Sequence, residues 1–194
     1  MGNISGALGA PKAIRMIGAA LVVIIGLTGC TTGSSVNTKA DKSGHSAKNG
    51  GGNNSSSAAK IGDAVTVKGM DTTASVTATK FIGVARSTDQ FMKPGKCKRY
   101  VAVQFQINNT GSKAYDDAPS NGAKVIDGQG QQYDASMMDP ATTAGQNFPA
   151  TVKIIPGGKA LGFVVFEVPI KAKITQVQFA MDSGFSDAAQ WNVG

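Results

Sequence analysis

All twelve aromatic residues of this 194-residue chain lie after position 80, and the first 60 residues contain none. Aromatic side chains bring the largest apolar areas to a core, so the packed part is confined to the C-terminal two thirds. Charge divides the chain at the same place. Of the net +7, Lys12 and Arg15 place +2 in the first 29 residues, and Lys39, Lys42, Lys48 and Lys60 against Asp41 place +3 in residues 31–60. From Ile61 onward, 13 basic residues face 11 acidic ones. A nucleic-acid binder gathers its positive charge on the folded surface that meets phosphate. Here five of the seven excess charges lie outside the folded part, so nucleic acid is not an expected partner.

Residues 1–29 have the form of an export signal. Lys12 and Arg15 precede an apolar run, Met16 to Leu27, of twelve residues. A membrane-spanning helix needs roughly 20 apolar residues, whereas the apolar part of a signal is about 7 to 15. The run ends in Leu27-Thr28-Gly29-Cys30, which resembles the lipobox of bacterial lipoproteins. The small residues Thr28 and Gly29 suit a peptidase that must accept the chain just before the cysteine. The resemblance implies that the Cys30 sulfur becomes a thioether to diacylglycerol, and that two acyl chains give an anchor where one would be marginal. The expected location is the outer face of the bacterial cell membrane.

Residues 30–60 then read as a tether. "TTGSSVNTKADKSGHSAKNGGGNNSSSAAK" contains a single Val among small and polar residues. Such a segment buries too little apolar surface to offset its ordering entropy. A disordered coil with a root-mean-square span of roughly 30 Å is expected. His45, the one histidine of the chain, lies in it with no companion metal ligand nearby.

From Ile61 to Gly194 the pattern has period two. In "RYVAVQFQINNTG", Val101, Val103, Phe105 and Ile107 alternate with Tyr100, Ala102, Gln104 and Gln106, as in a strand with one buried face. "ITQVQFAM" alternates Val177, Phe179 and Met181 in the same way. "ALGFVVFEVP" is apolar on both faces and reads as a central strand. Shorter strands are expected at 64–67, 75–85, 123–128 and 153–156, and a short helical stretch at 136–146. Turn signals at Pro94-Gly95, Asn121-Gly122, Asp127-Gly128 and Pro156-Gly157-Gly158 separate them. The expected fold is an all-β, antiparallel β-sandwich, large enough for a core without disulfides.

These segments also carry a resemblance. "IGDAVTVKG" (61–69), "YVAVQFQINNTGSKA" (100–114), "KVIDGQGQQY" (124–133), "PGGKALGFVVFEVP" (156–169) and "ITQVQF" (174–179) occur in this order. Together they resemble a domain of unknown function found in lipoproteins of Gram-positive bacteria. The resemblance implies an immunoglobulin-like sandwich, similar to a small secreted immunogenic antigen. It brings no catalytic residues with it.

The residues point away from catalysis. A Ser or Cys nucleophile usually needs a histidine base, and residues 61–194 contain no histidine. Glu167 is the only glutamate, so the paired carboxylates of a glycosidase are not evident, and no phosphate-cradling glycine motif with its following Lys occurs. No cofactor or metal is expected. The aspartates at 116, 117, 127, 134 and 139 lack the spacing of a calcium loop, and Asp127-Gly128 reads as turn chemistry. The methionines at 70, 92, 137, 138 and 181 form no recurring ligand motif and read as core filler. Lys93, Lys96, Lys98 and Arg99 flank Cys97 and form the candidate interaction loop. Such neighbours favour a reactive thiolate, although the commoner place for a free cysteine is buried at a strand start. Trp191 reads as a cap on the end of the sandwich. The expected function is therefore a lipid-anchored, extracytoplasmic and non-catalytic binding module. Its partner would be an envelope protein or wall component. The alternative is a carrier or sensor of a small ligand or metal.

Overall fold

The computed structural model describes Gly2, residues 35–41 and residues 58–194. The signal segment, the lipobox residues Leu27, Thr28 and Gly29 with Cys30, and His45 lie outside the described residues.

Strands follow one another as β1 (Val36–Asn37), β2 (Ala64–Lys68), β3 (Thr73–Ala85), β4 (Lys98–Asn109) and β5 (Tyr115–Asp117). After a single helical turn, α1 (Pro119–Gly122), come β6 (Ala123–Asp127), β7 (Gln132–Asp134), β8 (Val152–Ile154), β9 (Lys159–Pro169) and β10 (Ile174–Ala180). A 3-10 turn, Asp182–Gly184, leads to the last strand, β11 (Ala188–Asn192). One sheet is ordered β2-β3-β4-β9 and is antiparallel throughout; the other is ordered β1-β11-β10-β6-β7. β5 and β8 pair separately. The molecule is an antiparallel β-sandwich.

The period-two pattern decides what lies between the layers. Val101, Val103, Phe105 and Ile107 of β4 and Val177 and Phe179 of β10 are fully buried. The Phe105 ring lies 5.1 Å from that of Phe179 and 6.1 Å from that of Trp191, so it joins the two sheets. Burying side chains of this size contributes roughly 1.5–3 kcal/mol each. Trp191 is a core residue rather than an end cap: it is fully buried, and its Nε1–H donates to the Asp63 carbonyl at 2.8 Å.

Three features differ from the sequence reading, each for a physical reason. First, β9 is the last strand of its sheet, not a central one. Its two faces are apolar because both are covered. Val164, Phe166 and Val168 join the main core, whereas Phe163 and Val165 join a second cluster with Ala85, Tyr100 and Ala102 on the outer face. Its free edge is occupied by loop backbone: Ser136 N–H donates to Val165 O, Phe148 N–H to Phe163 O, and Phe163 N–H to Gln146 O. Composition reports buried faces; it does not report hydrogen-bonding neighbours.

Second, no helix forms at 136–146. The segment is recruited as that edge cover, and Thr142 within it is buried. Third, residues 35–41 lie on the domain. β1 runs parallel to β11 in the register Val36↔Ala188 and Asn37↔Ala189. Asn37 Nδ2 donates to the Thr66 carbonyl at 3.0 Å, and the Asp41 carboxylate accepts from Thr66 N and Oγ1, each at 3.1 Å. The segment thus closes the edges of both sheets, β11 and β2. Low apolar content argues against burial but not against edge pairing, which needs only backbone groups and short polar side chains.

Candidate binding surfaces

The basic loop is built by the connection from β3 to β4. Its base is sewn to the 141–143 segment by Thr88 N–H to Ala141 O (3.0 Å) and Thr143 N–H to Arg86 O (2.8 Å). Its far side is gripped by β9. Glu167 accepts from the Gly95 amide at 2.6 Å and from Lys98 Nζ at 2.9 Å. The Gly95 bond first, then the Lys98 ammonium, hold the Glu167 carboxyl below its ordinary range, against a smaller opposing effect of burial. Cys97 stands at the corner of this turn with φ 61°, in the left-handed region that few side chains adopt. The corner turns its side chain outward, and Cys97 is exposed rather than buried at the strand start.

The four cations of the loop separate into two kinds. Arg99 is structural: its guanidinium donates to the carbonyls of Ile170 (2.6 Å) and Ala172 (2.8 Å), tying the β9–β10 turn to β4. Lys98 belongs to Glu167. Lys93 and Lys96 are exposed, and among the described residues neither takes part in an ion pair. Beside them Phe91 is 87% exposed. Sequence reasoning missed Phe91, although a phenylalanine inside the turn-rich "STDQFMKPGK" has no alternating partner to pair with in a core.

A second surface lies between the end of β7, the segment at 148–150, α1 and the Asp182–Gly184 turn. It is an open cleft of about 730 Å³ with a floor of Phe148, Phe163 and Val164. Met137 and Phe185 stand on its rim, the first wholly exposed and the second 77% exposed. Two carboxylates line it. Asp134 pairs with Lys124, and Asp139 accepts from Asn147 Nδ2 at 2.8 Å. Burial raises the Asp139 carboxyl above its ordinary range, and the Asn147 bond only partly offsets this.

The remaining aspartates are absorbed by local structure. Asp127 Oδ1 accepts from the Gln129 and Gln131 amides at 2.9 and 3.0 Å, and Oδ2 accepts from the Tyr133 hydroxyl at 2.8 Å. Burial raises this carboxyl, but the Tyr133 bond and the two amides outweigh it, and the net shift is downward. This is turn chemistry of the kind expected from Asp127-Gly128. Asp117 accepts from the Ser183 amide and hydroxyl, and Asp116 pairs with Lys153 at 3.4 Å. Among the described residues, no three His, Cys, Asp or Glu side chains gather as metal ligands. Of the methionines, Met181 is core, whereas Met70, Met137 and Met138 are exposed.

The chain resembles several solved structures in fold. The chain is similar to the secreted protein MPT63 of Mycobacterium tuberculosis, at 17% identity and TM-score 0.47, over 69% of this chain and 94% of that one. It is similar to a lipoprotein candidate, ycdA, of Bacillus subtilis, at 13% identity and TM-score 0.50, over 69% of this chain and 38% of that one. It is also similar to a β-sandwich protein of Clostridium difficile, at 12% identity and TM-score 0.38, over 69% of this chain and 93% of that one. No curated protein matches it. The family match spans residues 59–190, from the buried Ala59 to the strand that carries Trp191. Over those residues the chain belongs to the family described as a domain of unknown function, DUF4352.

Proposed function

We propose that this is a lipid-anchored, extracytoplasmic protein whose sandwich is a non-catalytic binding module at the bacterial cell envelope. The lipobox at Leu27-Thr28-Gly29-Cys30 supports the anchor, and two neighbours in fold are described as a secreted protein and as a lipoprotein candidate. The observation that carries the binding role is the 91–98 loop. It holds Phe91 in water beside Lys93 and Lys96, which the fold does not use, on a base fixed by Glu167 and the 141–143 segment. An exposed aromatic beside unpaired cations on a rigid scaffold suits a partner that offers an apolar contact and anionic groups. An envelope protein or a wall component has that chemistry.

The test is in-cell photocrosslinking from position 91 of the anchored protein, with Lys93→Glu/Lys96→Glu as the comparison. One partner captured by the wild type and lost on charge reversal is the expected result. Capture that persists when the cations are reversed, or that requires only residues 30–60, overturns the loop assignment.

The small-ligand reading retains one specific observation, the 730 Å³ cleft with the raised Asp139 carboxyl at its wall. It expects a rise in Tm with a cationic small molecule that Asp139→Ala abolishes. The cleft is open along one side, which favours a partner's surface segment over an enclosed ligand.

A further inference from the structure

We propose that the end of the sandwich bearing Phe185 and Met70 is a bilayer-contact surface, held to the lipid by the docked segment 35–41. This rests on the reading of Cys30 as the lipid anchor, and it adds which surface of the domain meets the membrane.

Phe185 directly follows the Asp182–Gly184 turn and is 77% exposed. Met70 is 76% exposed, and its amide donates to Asp182 Oδ2 at 2.8 Å, so both residues flank one turn. The path of the chain brings the anchor to the same place. Because β1 is parallel to β11, its first residue lies at the end where β11 begins. Ser35 N–H donates to Asp187 Oδ1 at 2.7 Å, and Ala188 N–H donates to the Ser35 carbonyl at 3.0 Å. Asp187 is two residues from Phe185.

Covalent geometry then limits the anchor. Only residues 31–34 separate Ser35 from Cys30. Five residue steps span at most about 18 Å in any conformation. Strand β4 alone, 12 residues long, covers roughly 40 Å of the sandwich at about 3.3 Å per residue. With residues 35–41 docked, a lipid on Cys30 therefore serves the Phe185 end and not the opposite end, where β4 begins beside Cys97. The same geometry leaves Lys93 and Lys96 facing away from the membrane, free for a partner.

Charge selects the kind of contact. Around the turn, Lys113 pairs with Asp71 at 3.0 Å, while Asp182 and Asp187 accept from the Met70 and Ser35 amides and, like Lys68, take part in no ion pair among the described residues. The surface is thus apolar at its tip and acidic at its margin. It suits shallow apolar seating among neutral headgroups, not electrostatic capture by anionic lipid.

The test uses the mature, acylated protein on phosphatidylcholine vesicles that contain a fraction of brominated chains. A bimane label is placed either at position 185 (Phe185→Cys in a Cys97→Ser background) or on the native Cys97. The expected result is about a twofold loss of emission at 185, as for a group seated roughly 5–10 Å into the interface, with no loss at 97. The variant Asp41→Ala/Asp187→Ala, equally acylated and checked for release by loss of Ala188 amide protection, is expected to lose that difference. Vesicle-bound, acylated protein with unquenched 185 overturns the proposal, as does equal quenching at both labels or quenching that survives release of the segment. Protection of 185 that depends on a second protein and not on lipid assigns the surface to a protein partner and likewise overturns it. The mass of the N-terminus and vesicle flotation are read first. An unmodified Cys30 that does not float disproves the anchor itself and is distinguishable from a failure of the contact.

Discussion

Glu167 and Lys98 meet at 2.9 Å across the β9–β4 pair, and the same carboxylate accepts the Gly95 amide at 2.6 Å. The only glutamate in the chain thereby fixes the turn that displays Cys97. Both bonds favour the ionised form, so the Glu167 carboxyl lies below its ordinary value of 4.5. Its contribution is complete above that value and is lost as pH falls through the lowered one. Because the pair is partly exposed, Glu167→Gln is expected to cost less than about 1 kcal/mol. The more sensitive readout is Cys97. Its reaction with a thiol reagent at fixed pH is expected to quicken several-fold in Glu167→Gln as the turn loosens. An unchanged rate would show that the turn holds without the carboxylate.

Trp191 offers a cleaner stability test, since it is fully buried and is the only tryptophan. Trp191→Ala removes the side chain that Phe105 packs against and is expected to cost roughly 3–5 kcal/mol. Trp191→Phe keeps much of the packing but leaves the Asp63 carbonyl without its donor, at an expected cost of about 1–3 kcal/mol. Urea denaturation followed by circular dichroism measures both. Equal losses in the two variants would mean that the hydrogen bond contributes nothing beyond the ring.

Much of the sandwich is legible in the sequence because alternation is a direct record of which face is buried. β4 and β10 fall on the segments read by alternation, β9 on the one read as apolar on both faces, and β2, β3, β6 and β8 on or across the shorter strands expected. β11 escapes notice because "AAQWN" places two alanines and one large residue where a strand signal needs several. β9 is misplaced within its sheet because periodicity reports what covers the faces, and here a loop covers the edge. At the candidate site, "KPGKCKRY" locates the cations but cannot tell which of them the fold consumes. That depends on carbonyls at 170 and 172 and a carboxylate at 167, some 70 residues away. Cys97 is exposed through a single left-handed corner, which nothing in its residue type announces.

Two glycines are held to their identity by space. A Cβ on Gly162 of β9 would lie 2.6 Å from Phe148 Cγ, and one on Gly122 would run into the Ala180 carbonyl. Gly162 meets the Phe148 ring and, at 2.9 Å, the Phe148 backbone nitrogen, so Gly162→Ala is expected to cost about 1–3 kcal/mol by expelling Phe148 from the edge of β9. Gly122 meets backbone of β10 that cannot withdraw without breaking the β6–β10 register, so Gly122→Ala is expected to cost roughly 3 kcal/mol. Thermal denaturation ranks them. A Gly162→Ala variant less stable than Gly122→Ala would contradict the ranking of a loop that can shift below a strand that cannot. Gly162→Ala also predicts faster proteolysis within residues 136–148, because that cover is sewn to the β9 edge at Phe148.

Docking of residues 35–41 is expected to depend on pH through Asp187. Its carboxylate accepts the Ser35 amide at 2.7 Å, and hydrogen bonding from Ser35 holds it below its ordinary value. The ionised form is the better acceptor, so the segment is held at neutral pH and loosens as pH falls through the lowered value. The amide of Ala188 reports on docking directly, because it donates to the Ser35 carbonyl. Its hydrogen-exchange protection, corrected for the intrinsic pH dependence, is expected to hold down to about pH 4, near the ordinary aspartate value, and to be lost progressively below it. Asp187→Asn should show the low protection already at pH 7, while protection of Phe105 in the core stays unchanged. Equal protection of Ala188 in the wild type and in Asp187→Asn would mean that β1 is held by its backbone register alone, and that no acid-sensitive release exists.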